Sequence, residues 1–422
     1  MGFGGGTWLT QNKVLPGTYI NYISATKYAT ALSDRGVIAF PTVLSWGKTG
    51  IITIKNSDFQ SKAKAIFGFS YDSAELSDFR ELFCNAVKVI AYNMNSGDKA
   101  ANTFAEAKYP GTRGNDLKIV IAKNIDDEDL WDVSTYLDNE RIETQTVADS
   151  SALVANDYVT FKEATLVATA GSALSGGTNG TQTGDNHSTA LTALGAYTFN
   201  ALACTSSTAA IISLYIAFTR RMREEVGVKF QTVVLNTAAD YEGIVSVKHA
   251  NEIPWVTGAI GSVAINKSLS CSKYTGEREI TVEDDPTESV QGGYFVFTKD
   301  ENDDVCVVED FNTLVTATEE KNPADFRENQ VIRVIDQDAI ETAKVFATTF
   351  RGKVVNDADG RVSLKSALCN ISETMQNIHA IENFSRDDVT VEPGETKRAV
   401  LVTKGITPVV AMKQLYVATY VS

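Results

Sequence analysis

The side chains best suited to acid–base or metal chemistry near neutral pH are three histidines, His187, His249 and His379. None has a second histidine or a cysteine at metal-ligand spacing, which disfavours a metal centre and a histidine-based catalytic triad. The cysteines also stand singly, without a C-x-x-C pair: Cys84, Cys204, Cys271, Cys306 and Cys369. This arrangement disfavours structural zinc and a disulfide framework, and it fits a reducing compartment.

Two segments superficially match ligand-binding loops. The glycine-rich run from Gly171 to Gly184 precedes a helical pattern, as a phosphate loop would, but it lacks the lysine and the G-x-G-x-x-G spacing. Residues 300–304 begin like a calcium loop, but Val305 stands where the turn requires glycine, and no Glu follows at the twelfth position. We therefore predict a flexible surface loop and a solvated hairpin tip, with no metal and no cofactor.

Composition narrows the class of protein further. The chain has 422 residues, of which 43% are hydrophobic and 22% are charged, as in folded proteins of about two to four domains. The longest strongly apolar stretch, residues 209–218, is too short for a membrane span, and the sequence does not open with a secretory leader pattern. The formal net charge of −15 argues against nucleic acid as the main partner, because phosphate binding needs clustered lysine and arginine.

The charge is unevenly distributed along the chain. Residues 1–71 carry a net +5 and the tail after Glu395 carries +4, which leaves −24 for the middle of the chain. Twelve acidic residues against two basic ones lie between Glu277 and Asp310. The chain therefore combines basic ends with an acidic body.

The side chains considered above are positioned by strands and helices, which the sequence pattern predicts. Short β-rich runs between 36 and 69 indicate a small β-rich domain. Strand patterns at 86–92 and 117–122 flank a helical pattern at 97–108. Further alternating patterns lie at 131–147 and 158–169.

From residue 198 onward, strand patterns alternate with helical ones. The strand patterns lie at 198–203, 229–235 and 244–248. The helical patterns are a stripe of Ile211, Tyr215, Phe218 and Met222 and a segment at 255–270. Such alternation predicts a parallel sheet that is covered on both faces. Helices at 329–350 and 363–382 and a hairpin at 389–403 follow.

Both ends of the chain have extended, strand-forming patterns. Residues 14–23 pair tyrosines with isoleucines around a Pro-Gly break, and residues 409–421 alternate aliphatic with tyrosine and alanine side chains. An unpaired strand is a template for pairing with another chain. Each end therefore either completes a sheet of its own chain or adds to a neighbour's sheet, and the pattern alone leaves both open.

Segments along the whole chain resemble contractile tail sheath proteins of Gram-positive myophages, defective prophages and phage-tail-like bacteriocins. The matching segments are residues 4–8, 15–21, Arg35–Pro41, Tyr109–Asp116, Tyr136–Asp138, Gln145–Val147, Tyr197–Leu202 and Met412–Tyr416. The chain departs from the family at Lys413, where family members often carry Glu.

The resemblance implies a mixed α/β and β multidomain fold. An inner α/β sheath domain, built mostly from residues 198–270 and 328–403, is completed by the N- and C-terminal arms of neighbouring subunits, and β-rich domains face outward. The expected divisions are an N-terminal arm at 1–30, a small β-rich domain at 31–85, an α/β segment with a β-rich insertion at 86–197, a core segment with the acidic hairpin region at 198–327, a C-terminal inner domain at 328–407 and a C-terminal arm strand at 408–422.

The same resemblance implies a structural, non-enzymatic subunit of a virion tail or tail-like particle, assembled in the bacterial host cytoplasm. It would polymerise as stacked hexameric rings around a tail tube and contract to drive the tube through a target cell envelope. Its expected partners are further copies of itself, the tail tube protein, and baseplate and tail terminator proteins, without nucleic acid or direct membrane insertion. We expect the helix at 363–382, in preference to that at 329–350, to face the tube.

Specific residues follow from the arm hypothesis. The residues expected to pair between subunits are Thr18, Tyr19, Ile20, Tyr22, Ile23, Met412, Leu415, Tyr416, Val417, Thr419 and Val421. Gly17, Gly405 and Pro408 are expected to act as hinges. Basic arms should be steered toward an acidic neighbour, so polymerisation should weaken at high salt.

Two other classes of protein remain as alternatives. A nucleotide-binding α/β enzyme would need a phosphate loop and polar catalytic residues at the carboxyl ends of its strands, and the sequence offers neither. A surface adhesin would need a route of export, for which no leader pattern is present.

Overall fold

The computed structural model describes residues 32–421. The strands of this part are β1 (Val37–Thr42), β2 (Gly50–Lys55), β3 (Lys88–Asn93), β4 (Ala105–Ala107), β5 (Leu117–Lys123), β6 (Trp131–Leu137), β7 (Glu140–Val147), β8 (Val159–Phe161), β9 (Thr169–Ala173), β10 (Ala201–Ala203), β11 (Gln231–Leu235), β12 (Ile244–Val247), β13 (Tyr294–Phe295), β14 (Phe297–Lys299), β15 (Val305–Val307), β16 (Ile381–Glu382), β17 (Val389–Pro393), β18 (Val400–Lys404) and β19 (Thr407–Pro408). The helices are α1 (Asn56–Phe67), α2 (Ser77–Phe83), α3 (Gly184–Leu194), α4 (Ala209–Arg221), α5 (Ile253–Ser262), α6 (Thr287–Gln291), α7 (Pro323–Phe326), α8 (Asn329–Val345) and α9 (Ala358–Asn377).

A seven-stranded sheet forms the centre of the molecule, in the order β13-β12-β11-β10-β1-β3-β2. All neighbours in it are parallel except β2, which runs antiparallel to β3. The two faces have separate apolar cores: α1, α2 and α5 cover one face, and α3 and α4 cover the other. Along β1, Ile38 and Phe40 enter the first core and Ala39 enters the second. The predicted parallel sheet covered on both faces is therefore present.

The strands predicted for a separate small β-rich domain belong to this central sheet. Strand β1 pairs with β3 on one side and with β10 on the other, where Ile38 lies opposite Ala201. The strand pattern of residues 37–42 is a local property, whereas its partner β10 comes much later in the chain. The sequence therefore predicts these strands but not the sheet that they join.

Residues 95–179 form a second, β-rich body beside the central sheet. It contains the four-stranded sheet β7-β6-β5-β9 and the pair β4-β8, around a shared apolar core. The strands predicted at 117–122 and 131–147 are present. The helix predicted at 97–108 is absent: the Asn102 side-chain oxygen accepts hydrogen bonds from the backbone N–H groups of Phe104 and Ala105, which makes a turn, and β4 follows with Ala105 and Ala107 buried.

The segment Tyr109–Asp116 joins the β-rich body to the central sheet. Arg113 donates hydrogen bonds to the Gly68 carbonyl after α1, at 2.9 Å, and to both carboxylate oxygens of Asp138 in the β6–β7 turn. Gly111 has φ +130°, and a Cβ there would lie 2.0 Å from the Ser45 carbonyl oxygen. Gly111 thus permits a close approach between the β-rich body and the central sheet, and the hydrogen bonds of Arg113 hold the two together.

The glycine-rich run also packs against this joint. A Cβ on Gly97 would lie 1.9 Å from the carbonyl oxygen of Thr178, and the backbone N–H of Gly177 donates to the Asn115 side chain at 2.8 Å. The run is therefore docked on its neighbours, where a flexible loop was expected. The 300–304 segment forms the predicted hairpin tip, between β14 and β15.

Helices of the central region follow the predicted pattern with shifted ends. In α4, Tyr215 and Phe218 of the predicted stripe are buried. The helix predicted at 255–270 is α5, which ends at Ser262. Arg35 donates hydrogen bonds to the carbonyls of Ile260 and Val263 at 3.0 and 3.1 Å, so a side chain distant in sequence satisfies the carbonyls where this helix ends.

The C-terminal part packs α8 and α9 with the hairpin β17–β18 around a fourth apolar core. The hairpin predicted at 389–403 is present. Helix α8 ends at Val345 and continues as a π-helical turn to Phe350. Helix α9 starts before the predicted residue 363, because Asp357 accepts a hydrogen bond from the Gly360 backbone N–H at 2.8 Å and caps it.

Candidate inter-subunit site at the C-terminal arm

The chain after the hairpin is held along its own subunit up to Lys413. Gly405 donates a backbone hydrogen bond to the Asp388 carbonyl at 2.9 Å. Strand β19 then pairs with β16, so that Pro408 lies opposite Ile381. We call residues 405–413 the arm root.

Two further backbone contacts extend this attachment. Val409 donates to the Ala380 carbonyl at 3.0 Å, and Ala411 donates to the side-chain oxygen of Gln330 on α8 at 3.1 Å. The predicted hinge residues Gly405 and Pro408 thus both lie in the part of the tail that the body holds.

Lys413 closes the arm root with a cluster of three partners. Its Nζ lies 2.6 Å from a Glu309 carboxylate oxygen, 2.8 Å from both carboxylate oxygens of Glu328, and 4.6 Å from the centre of the Phe311 ring. The Lys413 side chain is 16% exposed. We call this group the Lys413 clasp.

The pKa values in the clasp depend on both burial and the neighbouring charges. Burial alone would lower the pKa of Lys413, but its hydrogen bonds and charge interactions with Glu309 and Glu328 outweigh that cost and raise the pKa above the ordinary lysine value. Burial raises the pKa of Glu328, and Lys413 offsets part of that rise. Such charge-assisted contacts are among the stronger hydrogen bonds in proteins.

From Gln414 to Val421 the tail is exposed and mostly apolar. We call residues 414–422 the terminal segment; the exposed fractions of Leu415, Tyr416, Val417, Tyr420 and Val421 are 86%, 86%, 73%, 94% and 94%. Thr419 and the preceding Met412 are exposed as well. Residues 409–421 do not form the predicted strand within the single subunit, because a strand is stabilised by a partner strand, and from Gln414 to Val421 the backbone pairs with no other described strand.

The hairpin β17–β18 lies next to the arm root and forms a two-stranded sheet. Val389, Val391, Val400 and Val402 pack into the core beneath it. A sheet of two strands leaves an unpaired backbone edge on each side. Strand-forming residues without a partner and a sheet with open edges are therefore both present in this part of the molecule.

Helix α8 is fixed to the central sheet by a seam of buried polar side chains. The two terminal guanidinium nitrogens of Arg223, after α4, donate hydrogen bonds to the carboxylate of Asp336, at 2.6 and 2.8 Å. Arg333 contacts Asp310 at 2.6 Å, and Asn329 also donates to Asp310 at 3.1 Å. Because Glu328 and Gln330 stand at the start of the same helix, the seam also positions the groups that hold the arm root.

Charges within and beside the seam shift one another's pKa values. Burial would lower the pKa of Arg223, but Asp336 outweighs it, so the pKa of Arg223 is raised. Burial and the neighbouring Arg333 lower the pKa of Arg35 to about 10.

Sequence reasoning missed the clasp and the seam. It named Met412, Leu415, Tyr416, Val417, Thr419 and Val421, which lie in or beside the terminal segment, and it singled out Lys413 only as a departure from the family pattern. One usable signal was present, since Lys413 is the last charged side chain in the sequence. The predicted residues Gly17, Thr18, Tyr19, Ile20, Tyr22 and Ile23 lie outside the described residues.

At the carboxyl edge of the central sheet, asparagine side chains form hydrogen bonds with the backbone of neighbouring loops. The Asn93 side chain at the end of β3 accepts hydrogen bonds from the backbone of Leu44 and Asn95, both at 3.0 Å, and Asn95 donates to the Leu44 carbonyl at 2.6 Å. Nucleotides bind at this edge in open α/β sheets. Here its asparagines connect loops of the protein to one another.

Metal-binding clusters and membrane-spanning helices are both absent from the described part of the chain. Between residues 32 and 421, no group of three or more histidine, cysteine or acidic side chains could hold a metal ion. The helices of that same part are all too short or too polar to cross a bilayer. His187, in α3, contacts the Tyr215 hydroxyl at 3.0 Å, and burial lowers the pKa of this histidine.

Comparison with known proteins gives the family. Three family models match in succession: the phage tail sheath protein beta-sandwich domain at residues 95–179, the phage tail sheath protein central domain at 180–313 and the phage tail sheath C-terminal domain at 321–422. The chain is 31% identical to the phage-like element PBSX protein XkdK of Bacillus subtilis (strain 168), over 98% of each chain.

Solved structures agree with this assignment. The sheath tail protein of Desulfitobacterium hafniense is 34% identical with a TM-score of 0.85, covering 95% of this chain and 99% of that one. The sheath tail protein Lin1278 of Listeria innocua is 30% identical with a TM-score of 0.76, covering 90% and 94%. The helical sheath of the anti-feeding prophage, at 12% identity and a TM-score of 0.55 over 97% and 99%, shares the fold.

The chain belongs to the phage tail sheath protein family. It is thus a structural component of the sheath of a phage tail or a tail-like particle. The predicted family and the predicted mixed α/β, multidomain fold are confirmed.

Proposed function

We propose that this chain polymerises as stacked hexameric rings around a tail tube and contracts to drive the tube through a target cell envelope. The energy for contraction is supplied by the sheath protein itself, and no enzymatic reaction is needed. Its partners are further copies of itself, the tail tube protein, and baseplate and tail terminator proteins, and assembly takes place in the bacterial host cytoplasm. The known structures of related fold include a helical sheath in a contracted state, which supports the helical polymer.

The observation that carries this proposal is the exposed terminal segment beside a sheet with open edges. Leu415, Val417 and Val421 are β-branched or aliphatic side chains that strands favour, and they are exposed in the single subunit. Adding this segment to the β17–β18 sheet of a second copy would satisfy its backbone groups and cover its apolar side chains. The N-terminal residues 18–23 would add in the same way.

Strand addition also suits a polymer whose subunits must move. The backbone hydrogen bonds of an added strand persist while the connecting chain changes direction, so neighbouring subunits stay linked as their bodies reorient. Helix α9, which lies under the β17–β18 hairpin, remains our choice for the helix that faces the tube.

Truncation after Lys413 tests the proposal. Because residues 414–421 are exposed, the shortened chain should remain folded and soluble, with the same circular dichroism spectrum and melting temperature as the full chain. It should form no tubes in negative-stain electron microscopy, whereas the full chain forms tubes whose end views have six-fold symmetry. Tubes formed by the truncated chain would refute strand donation by this arm.

A pair of substitutions separates backbone pairing from side-chain packing. The double variant V417P/A418P removes two consecutive backbone N–H donors, which point to opposite sides of an extended strand, so one of them must face the partner. The matched control V417T/A418S keeps both donors. We expect tubes from the control only.

A further inference from the structure

We propose that Lys413 is the fixed pivot of the C-terminal arm. The arm root stays on its own subunit through the Lys413 clasp, and only the terminal segment is offered to a second copy. This inference rests on the proposed function, because a pivot matters only if the segment beyond it joins another subunit.

The attachment of the tail to the body of the subunit ends at Lys413. The arm root contacts the body at Gly405, Pro408, Val409, Ala411 and Lys413. These contacts reach β16, α8, and the segment between β15 and α8, so the root crosses several elements of the subunit. From Leu415 to Val421 the leucine, valine and tyrosine side chains are at least 73% exposed. Although the side chains of Val410 and Met412 in the arm root are already exposed, the last contact of the tail with the rest of the described subunit is the one at Lys413.

The charged side chains of the C-terminal tail also favour a pivot at Lys413. Lys413 bridges Glu309 and Glu328, and Lys404 of the same tail pairs with Asp338 on α8. Residues 414–422 carry no charged side chain. The positive charge of the C-terminal tail that was expected to steer the arm toward a neighbour is therefore used, at these two lysines, within the subunit. The terminal segment is left to pair through backbone and apolar contacts.

The position of the pivot also sets how far the terminal segment can reach. In an extended chain, Val421 lies eight residues or about 26 Å from Lys413, whereas it lies sixteen residues or about 53 Å from the predicted hinge at Gly405. A pivot at Lys413 therefore restricts the terminal segment to a copy whose sheet edge lies close to the clasp. It also keeps the direction of departure fixed, since Glu328 directly precedes α8 and α8 is fixed to the central sheet.

Hydrogen exchange on the full-length soluble subunit tests the pivot. In the variant K413M, amide exchange in a peptide covering residues 405–413 should rise about tenfold or more, because charge-assisted contacts that close the root are lost. Exchange in the β17–β18 hairpin should stay unchanged. The matched control K397M removes an exposed lysine of the same tail and should leave the root at the wild-type rate.

The hydrogen-exchange result distinguishes failure of the pivot from failure of the proposed function. Hydrogen exchange is measured on the unassembled subunit, so it reports on the clasp whether or not tubes form. Wild-type exchange in the root of K413M, or an equal rise in K397M, would overturn the pivot. If K413M loosens the root but the truncation after Lys413 still forms tubes, the clasp stands and strand donation fails. The variant K413R, which keeps the positive charge, should restore protection of the root.

Discussion

Arg333 and Asp310 form an ion pair that solvent does not reach: Nη2 lies 2.6 Å from Oδ2, and the two side chains are 1% and 0% exposed. Asp310 also accepts hydrogen bonds from the backbone of Leu269, at 3.0 Å, and from Asn329, at 3.1 Å. One carboxylate thus connects α8 with the segment after α5. The pair sits in the seam that fixes the arm-bearing part of the chain to the central sheet.

Removing one partner of this pair should strongly destabilise the subunit. The variant R333M leaves the Asp310 charge buried without its cation, and we expect a loss of about 3–5 kcal/mol in the free energy of unfolding. Denaturant unfolding followed by tryptophan fluorescence measures it. The double variant R333M/D310N should recover part of the loss, because no charge then remains buried.

A surface pair provides the control for that measurement. Arg386 and Glu373 lie 2.7 Å apart, with side chains that are 52% and 41% exposed. The variant R386M should cost less than about 1 kcal/mol. Equal losses for R333M and R386M would show that the seam does not hold the two parts of the subunit together.

Glu252 should make the stability of the subunit depend on pH. It is 2% exposed, and burial raises its pKa to about 8, although backbone hydrogen bonds from His249 and Lys248 partly offset the rise. The folded state therefore holds a proton that the unfolded chain releases near pH 4.5. The stability from this group is complete below about pH 4.5 and declines as the pH rises through about 8.

The variant E252Q tests this linkage. The amide oxygen can still accept the His249 backbone N–H, now at 3.2 Å from a carboxylate oxygen, but it cannot ionise. We expect denaturation midpoints of the wild type to fall relative to those of E252Q between pH 5 and pH 9, with E252Q the more stable above the pKa of about 8. The exposed control E288Q should follow the wild type at every pH.

Gly111 should be essential for the joint between the β-rich body and the central sheet. In the variant G111A the new Cβ would meet the Ser45 carbonyl oxygen at 2.0 Å, so the backbone must move. We expect faster proteolysis between the two bodies and a lowered melting temperature. The control G227A has a similar left-handed φ, +85°, with no atom within 4 Å, and should cost only about 1–2 kcal/mol.

The extent to which the sequence predicts this structure depends on how local each interaction is. The α4 stripe is visible because a helical periodicity reports burial on one face, and the strands β11 and β12 are visible because short runs rich in β-branched residues indicate strands buried on both faces. The prediction of a helix at 97–108 is wrong because one side chain, Asn102, stabilises a turn that the periodicity of the sequence does not reveal.

Contacts between distant residues are beyond such patterns. Ile38 pairs with Ala201, and Arg35 meets the end of α5, through proximity that only the folded chain creates. The same holds for the clasp, in which Lys413 meets Glu309 and Glu328. The sequence shows that charge ends at Lys413, but it does not show where that last charge is bound.

A peptide of residues 414–422 should bind the truncated subunit with an affinity that does not depend on salt. The peptide has no charged side chain, so its pairing with an open sheet edge offers little for ions to screen. Fluorescence anisotropy of the labelled peptide, with capped ends, measures the dissociation constant from about 50 to about 500 mM salt. A peptide with Val417 and Ala418 replaced by proline is the control and should not bind. A dissociation constant that rises steeply with salt would instead assign the recognition to charges and restore electrostatic steering for this arm.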